Sequence, residues 1–496
     1  MKDRTAEIAP TLLGSPPLTR TVAGIGPKVR LSEVPDRVIQ RVKCCFLDWL
    51  GVAIAGSATE PTRILRNVVT RSAGDGTCCL LGDDFRMTGP VEAALINGLA
   101  GHEMDFDDVA IAIHPSADIM PASLAVAQDR DASGERFIEA VVTGQETSGR
   151  VERLVGYAHY DAGWHVTGTV GTFSAAAAAA KILGLDLAQI EMALGIAGTQ
   201  AAGLRAVFGS MCKSFHAGKA ASNGTLAALL AEAGFTSAPN ILEAEYGFVW
   251  AESSRAQAEA LNDYYGEQWV ASAGPSGAEA ALRPLGDPYL ADEIIPKMWA
   301  SCASAHSAIG AVELLREEHG IIMDQIQKVV AYIPPFALDH AGIENPRTGL
   351  EGKFSVRYAV TAALLGYDTM GAAFTDEAVN SPEAKEAIKC VQAVYAPSTT
   401  RNAPSEVHVT LKNGQRLVKS FDHHDHIAGW EKLSYKFNHI VPPITGPDVA
   451  SRLEDAVFHL EGLASMRAIT DILRDADIAA TASPQGDTED FQERGV

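Results

Sequence analysis

Apolar residues recur at helical spacing through most of the first 290 residues, and the pattern changes character only after that. Over residues 32–55, Val34, Val38, Val42, Phe46, Leu47 and Leu50 line one helical face, with Ser32 expected as the N-cap. Asp48 falls in the late, apolar part of this run and reads as a structural anchor rather than a catalyst. A second helical run over 60–72 leads to the turn-rich A-G-D-G-T-C-C-L-L-G. A third, over 90–100, feeds straight into G-H-E-M-D-F-D-D-V-A-I-A-I-H-P-S-A-D-I-M-P at 101–121. Pro115 and Pro121 punctuate the return to helix at 122–127, so His114 is expected at a helix start, where N–H groups and the dipole favour an anion.

Helical spacing resumes over 135–155. Y-A-H-Y-D-A-G-W-H-V-T-G-T-V-G, residues 157–171, reads as a Gly-bearing loop that packs His159, Tyr160 and His165 together. The alanines at 175–180 predict a helix with little side-chain bulk, which must lie flush against a neighbour. A helix over 190–201 is followed by G-S-M-C-K-S-F-H-A-G-K-A-A-S-N-G at 209–224, where Lys213 and His216, three apart, share one face. A lone helical lysine is normally solvated, but beside a histidine and small residues it becomes a functional candidate.

Between 252 and 300 the pattern loosens, with Gly274, Pro275, Gly277, Pro284, Gly286, Pro288 and Pro296, as at a domain boundary. K-M-W-A-S-C-A-S-A-H at 297–306 then leads to an amphipathic helix ending near residue 319. Residues 326–333 read as a strand closed by Pro334-Pro335, and N-P-R-T-G-L-E-G-K-F-S at 345–355 precedes a helix through 365. E-V-H-V-T-L, K-N-G-Q and R-L-V-K-S predict a hairpin, with Asn413-Gly414 as a type I′ turn. His423, His424, Asp425 and His426 lack a regular ligand spacing and read as a solvated linker rather than a metal site. Residues 447–475 return to helix and are expected to rejoin the first part.

At 496 residues the chain exceeds what one core supports, and 47% hydrophobic with only 7% aromatic residues favours packed helices. A net charge of −22 argues against a nucleic-acid or anionic-membrane partner, yet leaves room for a small anion held in a local basic cleft. The seven cysteines form neither a disulfide framework nor a metal set, and no apolar run reaches about 18 residues. A cytoplasmic protein is expected, with an organellar address in the first 30 residues left open. Within 101–121, Asp105, Asp107 and Asp108 beside His114 are either helix caps and turn residues or an acid/base site.

D-F-D-D with a nearby H-P-S, then A-G-W-H, K-S-F-H-A-G and K-F-S run in order over roughly residues 30–470, and on these motifs the chain resembles the MmgE/PrpD family. That family includes 2-methylcitrate dehydratases, cis-aconitate decarboxylases and iminodisuccinate epimerases. The resemblance implies a mainly α fold, with a large all-helical domain built from both ends of the chain and a smaller α+β lid domain. It also implies a homodimer that needs no metal or organic cofactor. On that plan residues 31–290 and 426–478 form the helical domain and 291–425 the lid. Residues 1–30 are a flexible lead-in and 479–496 a disordered tail.

The same resemblance puts Asp105, His114, His165 and Lys213 on active-site positions, and similarity to the epimerase branch adds Tyr160 as a catalytic candidate. His216 and Arg347 join Lys213 as expected binders of substrate carboxylates. His114 would move a proton, Asp105 would orient it or transfer one itself, and the cations would spread developing charge. Three positions depart from the decarboxylase pattern: Val109 stands for a threonine, Cys302 for a histidine and Leu338 for a tyrosine. The expected activity is therefore a hydro-lyase acting on a citrate or 2-alkylcitrate type acid. A decarboxylase of cis-aconitate type or an epimerase of iminodisuccinate type is the alternative. Retention of the four site residues speaks against a third possibility, a degenerate dimeric scaffold.

Overall fold

The computed structural model describes residues 17–72, 74–82, 86–252, 282–286, 288–397 and 403–474. The expected tail at 479–496, residues 1–16 of the lead-in and the stretch at 253–281 lie outside the described residues. The fold is mainly α, with one sheet of four strands and two small two-stranded ladders among the described residues.

Part of the second half of the lead-in is packed. Helix α1, Leu18–Ala23, buries Leu18, Val22 and Ala23, and Thr19 donates through both its N–H and its hydroxyl to Glu243. Helix α2 is Asp36–Ser57, shorter at its start than the apolar spacing suggests. Ser32 lies in a separate 3-10 turn, Leu31–Glu33, because Pro35 disfavours helical backbone at the residue before it, and Pro35 itself becomes the N-cap. Helix α3, Glu60–Val69, is followed by β1, Cys78–Leu80, and β2, Arg86–Thr88, an antiparallel pair where only turns were expected.

Helix α4, Pro90–Glu103, ends at the turn that leads into strand β3, Asp108–Val109, and helix α5, Pro115–Asp129, runs on through Pro121. Helix α6, Gly134–Asp161, breaks at Gly156 (φ 62°) and continues to Asp161. Residues 157–161, expected as loop, are thus a last helical turn. Helices α7, Val166–Leu183, α8, Leu187–Gly198, and α9, Cys212–Glu232, complete this half.

Small residues let these helices touch backbone to backbone. A Cβ on Gly224 of α9 would stand 2.5 Å from Cβ of Ala175, which confirms that the alanine run lies flush on a neighbour. A Cβ on Gly218 would stand 2.2 Å from the Leu95 carbonyl oxygen, so α9 presses equally closely on α4.

Strand β4, Ile295–Pro296, pairs antiparallel with β3. Strands β5, Ile326–Ile333, β6, Val391–Tyr395, β7, Ser405–Leu411, and β8, Arg416–Phe421, form the larger sheet in the order β6-β5-β7-β8. Only the β5–β6 pair is parallel. Helix His306–His319 packs on β7 and β8, and Gly310 brings it against the Phe421 ring.

The β7–β8 turn is not type I′: Gly414 has positive φ (88°) and Asn413 does not. The Gly414 N–H donates to Leu411 O and the Leu411 N–H to Gln415 O, a three-residue loop with glycine in the left-handed position. His423–Asp425 is a 3-10 turn in which His423 packs on Ser307 with Nδ1 2.8 Å from its hydroxyl, while His424, Asp425 and His426 are exposed as expected of a solvated linker.

The chain rejoins the helical part before residue 447. In helix Trp430–Ile440, Lys436 pairs with Asp48 at 2.6 Å, both side chains 1% exposed. This gives Asp48 the anchoring role its position suggested. Further on, the Leu463 carbonyl accepts the Gly134 N–H, and Gln128 donates to Thr470.

Candidate active site

Three helix N-termini converge on one buried cluster. His114 is the N-cap of α5, His165 the N-cap of α7, and Lys213 sits in the first turn of α9. Orphan N–H groups and the positive dipole ends of these helices make the region favourable for anions before any side-chain charge is counted. The C-terminal turn of α4 brings His102 and Glu103, the connection to β3 brings Asp105 and Asp107, and the segment after β4 brings Lys297.

Asp105 is the electrostatic hub. Its Oδ1 accepts from Lys213 Nζ at 2.8 Å and from Lys297 Nζ at 2.7 Å, while Lys297 also donates to the Asp105 carbonyl at 3.0 Å. Burial alone would raise its pKa, but the two ammonium groups outweigh that and hold the carboxyl well below the usual range. The residue is 3% exposed and its backbone is left-handed, φ 49°, a conformation that aspartate tolerates better than most residues. So paired, Asp105 orients cations and does not act as a proton donor.

Asp107 sits beneath two imidazoles. Its carboxylate contacts His102 Nδ1 at 2.9 Å and His114 Nδ1 at 3.3 Å. Burial pushes the Asp107 carboxyl up, but the adjacent imidazoles more than reverse this and keep it ionised. An ionised carboxylate only accepts, so His102 carries its proton on Nδ1 and its Nε2 accepts from Lys213 Nζ at 2.9 Å. Asp107, His102 and Lys213 therefore form a relay that fixes the direction of the ammonium.

His114 Nδ1 lies 2.8 Å from the Asp108 carbonyl oxygen, which leaves Nε2 as the free lone pair, 4.0 Å from Asp105 Oδ1. Burial, reinforced by Lys297, pushes the His114 pKa down to about 3, so the ring is neutral at physiological pH. His165 and His216 face each other through their Nδ1 atoms at 3.0 Å, one donating and one accepting. Burial lowers both, with Lys213 the next cause at His165 and Lys219 at His216.

The cluster thus unites Asp105, His114, His165, Lys213 and His216. Tyr160 lies on the last turn of α6, under the Arg205 guanidinium at 4.0 Å and edge-on to His340 at 4.7 Å, contacts made outside that cluster. Arg347 does not join it. Its side chain is 83% exposed and turns back onto Glu351 at 3.5 Å, because Thr348 caps the short helix Gly349–Lys353 and directs residue 347 outward. The expected carboxylate clamp at Arg347 is therefore not formed here.

Sequence reasoning missed His102, Lys297 and Lys353. His102 stood inside the 101–121 stretch but was overshadowed by the aspartates, and Lys297 is a lysine in an apolar setting whose partner lies 192 residues away. Lys353, the lysine of K-F-S, donates to the Glu103 carbonyl at 2.8 Å, and the Glu103 carboxylate meets the Ser214 hydroxyl. Val109 and Ile111, from the segment between Asp108 and His114, line a cavity of about 200 Å³ with Tyr157, Ile295, Ser304 and Phe336; none of the clustered side chains lines it.

His102, Asp105, Asp107 and His114 also make a donor set of the kind that holds metal ions. Here the Lys213 ammonium already stands between His102 Nε2 and Asp105 Oδ1, in the position that a cation bridging those two atoms would take.

Helices converge on a buried lysine–histidine–aspartate cluster, and a smaller sheet-bearing part lies between them and the returning chain. The MmgE/PrpD N-terminal domain matches residues 22–260 and the MmgE/PrpD C-terminal domain residues 299–461, and the chain belongs to that family. Among its curated relatives is the cis-aconitate decarboxylase of Mus musculus, 28% identical over 494 residues, which cover 96% of this chain and 97% of that protein. The Homo sapiens cis-aconitate decarboxylase is 28% identical over 465 residues, 90% of this chain and 92% of that protein. That of Aspergillus terreus (strain NIH 2624 / FGSC A1156) is 24% identical over 467 residues, 89% and 92% of the two chains.

Proposed function

We propose that this protein is a lyase that decarboxylates a small tricarboxylate of the cis-aconitate type. The observation that carries the reading is the sealed Lys213–Asp105–Lys297 arrangement beneath three helix N-termini, which holds positive charge in a dry place where a carbanion would form. The names of the relatives supply the reaction, and their similarity spans nearly the whole chain.

In this scheme the substrate carboxylates lie against Lys213 and the helix ends, and their negative charge raises the His114 pKa so that Nε2 takes up a proton on binding. The bond to the departing carboxylate then breaks and CO₂ leaves. The pair left behind forms a new C=C bond to the near alkene carbon, the original π pair shifts to the far alkene carbon, the developing charge is spread toward Lys213 and Lys297, and the proton from His114 Nε2 is added to that far carbon. One CO₂ leaves and one proton enters, which balances the step.

A second reading, dehydration of a citrate or 2-alkylcitrate, is favoured by two observations. Neutral His114 offers a lone pair that could remove a proton next to a carboxylate. Val109 and Ile111 give the cavity beside the 108–114 segment an apolar wall that would accept an alkyl branch. Incubation with cis-aconitate, citrate and 2-methylcitrate, followed by proton NMR and CO₂ capture, separates the two. Decarboxylation predicts CO₂ from cis-aconitate, whereas dehydration predicts alkene formation from the hydroxy acids without CO₂.

A further inference from the structure

The segment that carries His114 into place contains a strained turn. Ala110 and Ile113 exchange both N–H···O bonds at 2.9 Å, closing a two-residue turn over Ile111 and Ala112. Ile111 has φ 50°, and a β-branched side chain is poorly suited to the left-handed region. Such a turn prefers glycine at its first central position. The two arms of the turn are functional: Asp108 lies before it and His114 after it, and the bond from His114 Nδ1 to the Asp108 carbonyl spans its mouth. The shape of the turn therefore sets the direction of the imidazole.

One side chain from another element holds this turn. Glu152, 3% exposed on α6, accepts the Ala112 N–H at 2.8 Å through Oε1, while its Oε2 is sealed without a hydrogen-bond partner among the described residues. We propose that Glu152 is a positioning residue for His114: by accepting the Ala112 N–H it keeps the strained 110–113 turn closed and the imidazole aimed at the cluster. A carboxyl is a costly thing to bury for a single accepted bond. Burial pushes the Glu152 pKa up to about 8, against smaller opposing effects of the bond from the Ala112 N–H and then of Arg153, so the group is largely uncharged at neutral pH and can sit there without an ion pair. The Thr167 hydroxyl, 3.2 Å from the His114 N–H, anchors only the residue beyond the turn. Loss of Glu152 would leave the Ala112 N–H unpaired and remove the restraint on Ile111.

This inference rests on His114 belonging to the site proposed above, and the test separates the two. Four variants are compared by steady-state kinetics on whichever polycarboxylate the wild type turns over: His114→Ala, Glu152→Gln, Glu152→Met and Glu152→Met combined with Ile111→Gly. Gln keeps an acceptor and is expected to hold kcat within about 3-fold of wild type. Met fills similar volume without an acceptor, and kcat is expected to fall by about 10-fold or more with KM changed less than 3-fold. Ile111→Gly relieves the left-handed strain and is expected to restore much of the kcat lost in Glu152→Met. Rates are expressed per folded molecule, with the folded fraction read from the far-UV spectrum and urea unfolding; a purely structural role would lower that fraction and leave kcat per folded molecule unchanged.

The proposal is overturned if Glu152→Met matches Glu152→Gln in kcat, or if its loss appears only in KM. A loss that Ile111→Gly fails to reverse overturns it too. Should Glu152→Met not fold, Glu152→Ala, with and without Ile111→Gly, is judged by the same criteria. Full activity in His114→Ala would instead sink the site reading itself.

Discussion

At the residue scale, the site is a set of charges that balance only when all are present. Asp105 ties Lys213 to Lys297, so Asp105→Asn would release two buried ammonium groups from their shared partner and Lys213→Met would remove the cation that donates to His102 Nε2. Each is expected to lower kcat/KM by about 10²-fold or more, measured in steady-state assays on protein whose far-UV spectrum is unchanged. Wild-type turnover in Lys213→Met would remove the cluster from the chemistry. The neutral His114 makes a further prediction. Its free-enzyme pKa is pushed down to about 3, and a bound polyanion raises it, so binding takes up a proton wherever the pH lies between the two values. Kd for an unreactive tricarboxylate should therefore tighten as pH falls from 8.5 to 7, by up to about tenfold per unit, and calorimetry in buffers of different ionisation enthalpy should register the uptake. The same uptake in His114→Gln would assign the proton elsewhere.

Asp105, His114, His165 and Lys213 were legible because each sits in a short local motif. His102 and Lys297 were not, because what marks them is a contact across the fold. The lysine relay through His102 and the ion pair across 192 residues leave no spacing to read. Arg347 misled for the converse reason: its motif is intact, but a local cap turns it outward.

At the scale of elements, helices were readable from their period and their ends from chemistry that competes with it. Pro35 cuts the first residues from α2, Gly156 breaks α6 without ending it, and Gly414 alone takes the left-handed position in the β7–β8 turn. The close approach of α4 and α9 matters most to the site, since α4 ends in His102 and α9 begins beside Lys213. Gly218 is where they touch, and a Cβ there would lie 2.2 Å from the Leu95 oxygen and 2.8 Å from the Leu99 nitrogen. Gly218→Ala must part the two backbones, with an expected loss of about 1–3 kcal/mol in urea unfolding and a fall in kcat, although no side chain of the site is altered. An unchanged midpoint would mean that the contact can relax. Gly429, where an added Cβ would meet nothing within 4 Å, offers the control substitution to alanine.

At the scale of the molecule, both ends of the described chain pack into one helical body and the four-stranded sheet lies between them in sequence. The composition shift after residue 290 made that division visible, and the family resemblance put the return at residue 426, just ahead of where the helix begins. The return begins at helix Trp430–Ile440, whose Lys436 pairs with Asp48 and also donates to the carbonyls of Phe106 and Lys297. That lysine ties the return segment to the backbone at Phe106 and Lys297, on both sides of the buried cluster, and no motif in the sequence around it signals the role. Because lysine ammonium groups occupy the centre of the His/Asp donor set, exhaustive dialysis against EDTA is expected to leave turnover unchanged; activity lost on dialysis and restored by a divalent ion would contradict that arrangement. Homodimerisation is a further expectation, checked by light scattering of the purified protein.

The most direct measurement is turnover of cis-aconitate by the wild type and by Lys213→Met, followed by proton NMR in D₂O with CO₂ captured in parallel. The account predicts that the wild type releases one CO₂ for each cis-aconitate consumed and places one deuteron on the product, while Lys213→Met does neither at a measurable rate. Intact cis-aconitate after prolonged incubation with wild-type protein, or equal CO₂ release from both proteins, would contradict it.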